Sequence, residues 1–532
     1  MTEIAPGGMD LLSDKLIHIR DAGGATRGES IPGLLAAMGS GEEVECTGLR
    51  AHQQHAWHSF LVQLAAIALH RAGETGVKQS AERWRAWLVA LSDGNPRAWW
   101  LVNETLKEPA FMQPPVPEGT LDGFGDEDRV APDEEDVLFA AKNHDVKMQR
   151  MLRPHAEHWV FALVSMQTMG AFGGRSWYSI ARMNGGSSSR PALGAAPGMT
   201  AATRWRRDVE QLLATRAETL VRYPYFATDG GLALLWIVPW DGKKSLGLGA
   251  LDPFFIEVCR RLRLHRRGEH LGLRAIGTEG ARVAAKDIKG NTGDSWTPVK
   301  LPEGKALTAS ARTFHYAKLQ ELLFSSEFRQ PVAQSVTARD GAAPWFVGQV
   351  LVGGNCVTDG YRERWLPLPP AVRRRLLAAQ GTQSLGEEAS ARVETADIVK
   401  RKVLRPAILT ALQGAPEKRK NDDPSANRWL DALDSRIDAE FFAHLWSAID
   451  AIDDGTDDGE RDRQRTAWTH WLLKEAEQEL EKALHAAAMP SARRLKAIAA
   501  AESLFHAAAR RNFPSAFTQV VRDAAQSEEQ SR

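Results

Sequence analysis

The sequence predicts an α+β protein: a large mixed α/β amino-terminal domain over residues 1–368, then a carboxy-terminal four-helix bundle over residues 369–532. Three observations predict it. Apolar runs of strand length, "ALLWIVPW" at 233–240 and "APWFVGQVLV" at 343–352, alternate with helical blocks in the first part only. Beyond "LPLPP" at 366–370 such runs largely disappear, and alanine, leucine, glutamate and arginine fill helix-length blocks near 371–380, 391–413, 425–450, 459–488 and 491–511. Within them Trp429, Leu433, Ile437, Phe441, Leu445 and Ile449 recur every four residues as one apolar stripe, the mark of a helix with one buried face. The breaks "GAPEKRKNDDP", "DDGTDDGE" and Met489-Pro490 leave about four long helices.

The elements of the first domain follow in order. "MDLLSDKLIH" reads as a short opening strand or turn, and a small helix starts near Ser30 or Ile31. From Leu49 the spacing predicts a helix that stops at Gly73, and "AERWRAWLVALSDG" predicts another. Pro114, Pro115 and Pro117 force an irregular segment, since each fixes φ and removes a donor. An acidic tract from Asp122 to Asp136, eight carboxylates and one arginine, reads as a solvated loop. "HWVFALVSMQTMGAFGG" is helical up to Gly170, and "RMNGGSSSRPALGAAPG" is a long Gly/Ser/Pro loop. "DPFFIEVCRRLRLHRR" carries a helix start at Asp252 followed by helical spacing. In "VLVGGNCVTDGYRERWLPLPP" the Asp359-Gly360 pair predicts the tight turn of a β-hairpin.

Composition narrows the function classes. Lysine plus arginine equal aspartate plus glutamate at 67 each, which excludes wholesale basic character and confines any nucleic-acid surface to a patch. Such a patch is offered between Arg260 and Lys289, with nine basic residues against three acids, where backbone phosphates could be neutralised. The glycine-rich loops at 170–174 and 184–186 lack the bulk that keeps a backbone away from a groove. Cys46, Cys259 and Cys356 are far apart and odd in number, so no disulfide framework is encoded and a reducing cytoplasm fits. No run approaches bilayer-spanning length. Phosphate-binding loops, dinucleotide fingerprints and nucleophile elbows are all missing. His52, His55 and His58 share a helix without the glutamate of a zinc-protease motif and read as structural. One catalytic alternative remains, a metal-dependent phosphohydrolase or nuclease using His144 and Asp145 with His155 or His158.

An ordered set of motifs resembles the large subunit, CasA, of the type I-E CRISPR Cascade complex: "MDLLSDKLIHIRD", "PAFMQ", "KNHDVKM", "GAFGGRSW", "NGGSSSRP", "NTGDSWTP", "VGGNCVTDGYRER" and "RRLKAIAAAESLFHAAARRNFP". The resemblance implies a subunit that binds rather than catalyses and needs no cofactor. It would recognise the protospacer-adjacent motif of target double-stranded DNA from the minor groove, help open the duplex, and recruit a helicase-nuclease. Its partners would be the guide RNA ribonucleoprotein and the other Cascade subunits, with no membrane. Protein would read a short duplex motif while base pairing reads the long sequence. A large subunit of a neighbouring type I subtype is the near alternative.

The resemblance also implies contact residues. The family's glycine loop falls on Gly173 and Gly174, with Gly185 and Gly186 second. Its minor-groove lysine falls on Lys286, with Lys289 second, and the amino-terminal DNA-contacting loop on residues 142–148 with Asn143 and Lys147. Its wedge aligns with Thr358, Asp359 and Gly360. Asp359 stands where the family has an uncharged glutamine, so either the wedge works by shape or the alignment shifts by a few residues. Some members carry a cysteine cluster that this chain lacks, so no structural zinc is expected.

Overall fold

The computed structural model describes residues 9–125, 129–136, 151–152, 154–185, 189–268, 270–354, 357–378, 380–453, 458–487 and 491–517. The chain forms two compact units. The first runs to Phe314 and resumes over Ser326–Leu368; the second comprises His315–Ser325 and everything from Pro369. The excursion at 315–325 is a segment the sequence pattern did not separate.

The first unit is built around the helix Gln54–Ala72, preceded by the short turn Ala51–Gln53. Fourteen of its residues are buried, on every side of the helix. An element apolar all round must be enclosed, and it is packed by the helices Ala201–Arg222, Ala156–Thr168 and Ala81–Leu91 and by the strand Leu251–Ile256. It ends as expected at Gly73, whose φ of 69° is left-handed and whose N–H reaches the carbonyls of His70 and Leu69. The helix Ile31–Ser40 begins where predicted, with the Ser30 hydroxyl accepting the Gly33 N–H at 3.2 Å.

Three sequence expectations are corrected. Residues 252–267 are not helical but hold two strands, Leu251–Ile256 and Arg261–Arg267, the latter paired antiparallel with His270–Ile276. Phe254, Phe255 and Ile256 suit a strand, and the Arg/Leu alternation that follows has period two. Asp252, read as a helix cap, is buried in a two-pronged pair with Arg216 at 2.7 and 3.0 Å. Inside the expected loop 182–198 lies the strand Ala192–Ala196, all five residues buried and paired with Trp345–Gly354. Alanine and glycine carry no β-branched signal, yet they allow close packing. Of "ALLWIVPW", only Leu232–Leu234 is strand, and Leu235–Ile237 turns away as a helical turn.

In the second unit the helix Gly381–Ile398 passes through a wider π-type turn, Val399–Leu404, into Arg405–Leu412. Asn427–Asp453, Asp458–Ala486 and Ser491–Asn512 complete four long helical segments. The predicted stripe is its core: Leu433, Ile437, Phe441, Leu445 and Ile449 are fully buried and Trp429 nearly so. The helix Tyr316–Phe324 packs on Gly381–Ile398 and Asn427–Asp453. Asp434 holds it there, accepting from Lys400 Nζ at 2.6 Å, His315 Nε2 at 2.9 Å and the Tyr316 hydroxyl at 3.3 Å. No helix among the described residues is long and apolar enough to cross a membrane.

Replacing Ile437 with alanine should destabilise the bundle by about 2–5 kcal/mol through a cavity its neighbours cannot fill. Denaturant unfolding checks this, and an unchanged midpoint would contradict the placement of the stripe.

Candidate nucleic-acid interface

The glycine turn grows out of the end of the helix Ala156–Thr168. Gln167, buried in the last turn, locks that end to the segment beside it. Its Nε2 donates to the carbonyls of Met112 and Arg260, and its Oε1 accepts the N–H groups of Cys259 and Arg260 at 2.9 and 2.8 Å. Beyond it, Gly173 N–H donates to Trp177 O at 2.9 Å and Trp177 N–H returns to Gly174 O at 3.1 Å, closing a tight turn. Gly174 has φ 112°, a conformation glycine adopts freely. Arg175 is exposed at the tip. The turn comes back over a small apolar cluster of Ile180, Met183 and Cys259.

The lysine turn lies against that returning limb. Lys286 opens the short helical turn Lys286–Ile288, and Lys289 follows at φ 48°; both are exposed. A Cβ on Gly290 would fall 2.7 Å from the Met183 carbonyl carbon, so only glycine allows this approach. Asn184 Nδ2 donates to Thr308 Oγ1 at 3.4 Å, and Ala306 N–H to Lys289 O at 3.0 Å. Lys286, Lys289 and Gly185 are thereby gathered on adjoining segments.

A buried pair anchors both. Arg190 presents Nε and Nη2 to Asp294 at 2.6 and 3.0 Å, with both side chains out of water. Burial works to raise the Asp294 carboxyl, but the Arg190 guanidinium overrides it and holds the group below the usual carboxylate range. The motif "NTGDSW" is therefore a buttress: Asn291 is held by the Tyr225 hydroxyl and Arg329, Gly293 packs on the Tyr223 ring, and Trp296 Nε1 donates to Asp208 at 3.2 Å.

The hairpin Trp345–Gly354 with Val357–Pro367 joins the same frame, since Gly353 N–H donates to Ser189 Oγ at 2.8 Å and the Ser189 hydroxyl to Gly353 O at 3.0 Å. The hairpin is as expected, but Asp359-Gly360 is not its turn. Gly354 pairs with Val357, so the two strands stay paired well beyond Asp359-Gly360. Thr358 pairs with Gly353 and Gly360 with Val352, leaving exposed Asp359 as the extra residue of a bulge, with Gly360 at φ 112°. A bulge uses a positive-φ glycine as readily as a turn does.

The basic patch is mostly corrected. Arg260, Arg261, Arg263 and Arg282 are buried and spend their donors on the protein. Arg263 serves the carbonyls of Asn103 and Glu108, each at 2.9 Å, and Arg282 those of Leu235 and Val238 at 3.1 and 2.9 Å. Burial lowers both to about 10, so they remain charged at neutral pH. Of the nine basic residues, Arg267, Lys286 and Lys289 are exposed.

Asn143, Lys147 and Gly186 lie outside the described residues, as do His144 and Asp145. Of the histidines offered with them, His158 Nδ1 accepts the His155 N–H at 2.9 Å and closes the first turn of its helix. No group of three potential metal ligands occurs among the described residues. His52 and His58 are structural, meeting Asp136 at 2.7 Å and Asp208 at 2.9 Å. Burial lowers His58 to about 4, so a neutral ring donates Nε2–H to Asp208. That carboxyl sits at about 2 because His58 and Arg207 outweigh its burial. Sequence reasoning missed the roles of Ser189, Arg190, Glu257, Arg260 and Asp294, although each sat in a stretch already singled out: Ser189 and Arg190 in "NGGSSSRP", Glu257 and Arg260 in "DPFFIEVCRRLRLHRR", and Asp294 in "NTGDSWTP".

No family model and no curated protein matches the sequence. Solved structures do match the fold. Thermobifida fusca Cse1 superposes with a TM-score of 0.63 at 13% identity, over 95% of this chain and 98% of that one. Thermus thermophilus CasA (Cse1) gives 0.59 at 15%, over 94% and 99%. Cse1 from Acidimicrobium ferrooxidans, a CRISPR-associated protein, gives 0.59 at 15%, over 94% and 98%. The chain has the CasA (Cse1) fold over 94–95% of its length.

Glu257 gives the frame a pH dependence. Its buried carboxylate accepts the Ala181 N–H with both oxygens, at 2.9 and 3.0 Å. Burial raises it from 4.5 to about 7, opposed by that N–H and by Arg182 and Arg190. A carboxyl raised on folding costs stability as pH climbs from its unfolded to its folded value, here from 4.5 to about 7. Glu257→Gln should match wild type at acid pH and gain on it up to neutrality, by on the order of 3 kcal/mol. The buried histidines titrate in the opposite sense and cancel in the comparison. Thermal melts of both proteins across this range check it; a pH-independent difference would contradict it.

Proposed function

We propose that this chain is the non-catalytic large subunit of a type I-E-like CRISPR Cascade complex, and that it recognises the protospacer-adjacent motif of target double-stranded DNA. The carrying observation is the full-length likeness, which takes in 94–95% of this chain and 98–99% of the CasA and Cse1 structures named above. It includes both units, so it is not the sharing of one common domain.

In this reading the DNA meets the face made by Gly173, Gly174, Gly185, Lys286 and Lys289. Two ammonium groups on a tight turn reach the minor groove, and glycine backbone lets the duplex come close. The minor groove offers a degenerate pattern, so motif reading is relaxed. Thr358, Asp359 and Gly360 act beside the duplex end as a bulge. Asp359 is repelled by phosphates, so this element works by shape, offsetting part of an unstacking cost of roughly a few kcal/mol per step. Asn143, Lys147 and Gly186 keep the contact roles that the resemblance gives them. The chain works in the cytoplasm with the guide RNA ribonucleoprotein and the other Cascade subunits, and it recruits the helicase-nuclease after duplex opening.

Lys286→Ala should weaken duplex binding and reduce the slope of log K against log salt by about 0.9, the value for one lost phosphate contact. Titrations at several salt concentrations read both quantities. Unchanged affinity and slope in both Lys286→Ala and Lys289→Ala would remove this face from the reading.

A further inference from the structure

One short segment, residues 255–260, grips both limbs of the glycine turn. Arg260 donates Nη2 to Ala171 O at 2.6 Å and Nη1 to Tyr178 O, the two carbonyls that flank the turn. Its guanidinium carbon lies 5.5 Å from the Trp177 ring centroid. Glu257 accepts the Ala181 N–H with both carboxylate oxygens, and Arg182 Nη2 returns to Phe255 O at 2.6 Å. Behind the first limb, a Cβ on Gly170 would stand 2.5 Å from Cys259 Sγ, so that limb has no room to shift inward. Arg260 is buried, which takes it out of reach of a phosphate.

We propose that Arg260 and Glu257 are positioning residues: they hold the Gly173-Gly174 turn in its DNA-competent shape without touching DNA. The inference rests on the DNA-binding reading above and adds to it which residues hold the contact surface in shape. The geometry asks for an arginine. A planar fork can serve two carbonyls on opposite limbs at once, whereas an ammonium is a point donor at the end of a flexible stem. A turn ordered before binding does not lose that freedom on binding, so the clamp acts on affinity through preorganisation.

The test uses the full-length chain, a labelled DNA duplex and four variants: Arg260→Gln, Arg260→Lys, Glu257→Gln and Lys286→Ala. Both Arg260 variants should bind about tenfold more weakly than wild type with an unchanged salt slope, because no phosphate contact is removed. Amide exchange at Trp177, Ile180 and Ala181 should quicken in them, and at Ala181 in Glu257→Gln, while the helix Gln54–Ala72 keeps its protection. That last readout separates a loosened turn from a misfolded chain. A slope lowered by about one in Arg260→Gln and restored in Arg260→Lys would make Arg260 a direct phosphate contact and overturn the proposal. Faster exchange with unchanged affinity would also overturn it. Should Lys286→Ala change nothing and the duplex not bind, the DNA reading fails; unaltered exchange in the Arg260 variants is what would sink the clamp itself.

Discussion

The face described above depends on the buried pair of Arg190 and Asp294. Arg190 follows directly on Ser189, which holds the hairpin at Gly353, and precedes the strand Ala192–Ala196. Asp294 closes the motif that follows the lysine turn. One two-pronged contact thus ties the hairpin, the glycine loop and the lysines into a single frame. Removing either partner leaves an uncompensated charge out of water, at a cost of about 3–5 kcal/mol. Such pairs add little net stability over apolar substitutes, and their use is geometric. An arginine fork accepts a carboxylate in one plane, so it fixes the distance and the relative rotation of the segments it joins.

Placement of charge, more than its amount, separates the interior of the first unit from its working face. Arginine supplies the interior: Arg190, Arg207, Arg216, Arg260, Arg263 and Arg282 are buried and satisfy carboxylates or carbonyls of the protein. Lysine supplies the exposed turn. The division follows from the chemistry, since a guanidinium is weakly hydrated and offers five directed donors, whereas an ammonium is strongly hydrated and mobile. A neutral composition is then compatible with local attraction for a polyanion. Few exposed cations, however, mean modest non-specific affinity and a shallow salt dependence for this face.

How much of this was legible in the sequence follows the kind of signal each element carries. The helix Gln54–Ala72 and the bundle stripe were legible because spacing and a glycine stop are local properties. The strand Arg261–Arg267 was not, because an arginine-rich run reads as a solvated helix until its partners across the fold are known. Those partners are the carbonyls of Asn103 and Glu108, about 160 residues away in the chain. Ala192–Ala196 was hidden by its lack of side-chain bulk, and Asp359-Gly360 by the fact that turns and bulges demand the same glycine. Within the candidate site, the glycine loops stood out by composition, while their contact role and the choice of Lys286 and Lys289 came from the resemblance. The residues that hold them, Ser189, Arg190, Glu257, Arg260 and Asp294, could emerge only from tertiary contacts.

Amide exchange of the full-length chain with and without a DNA duplex tests the central claim most directly. The account predicts slowed exchange at the glycine turn near Gly173, the limb around Asn184 and Gly185, and the lysine turn from Lys286 to Gly290, together with the bulge at Asp359 and the loop 142–148. Protection that misses all of these segments, or no protection at a duplex concentration that saturates binding, would contradict it.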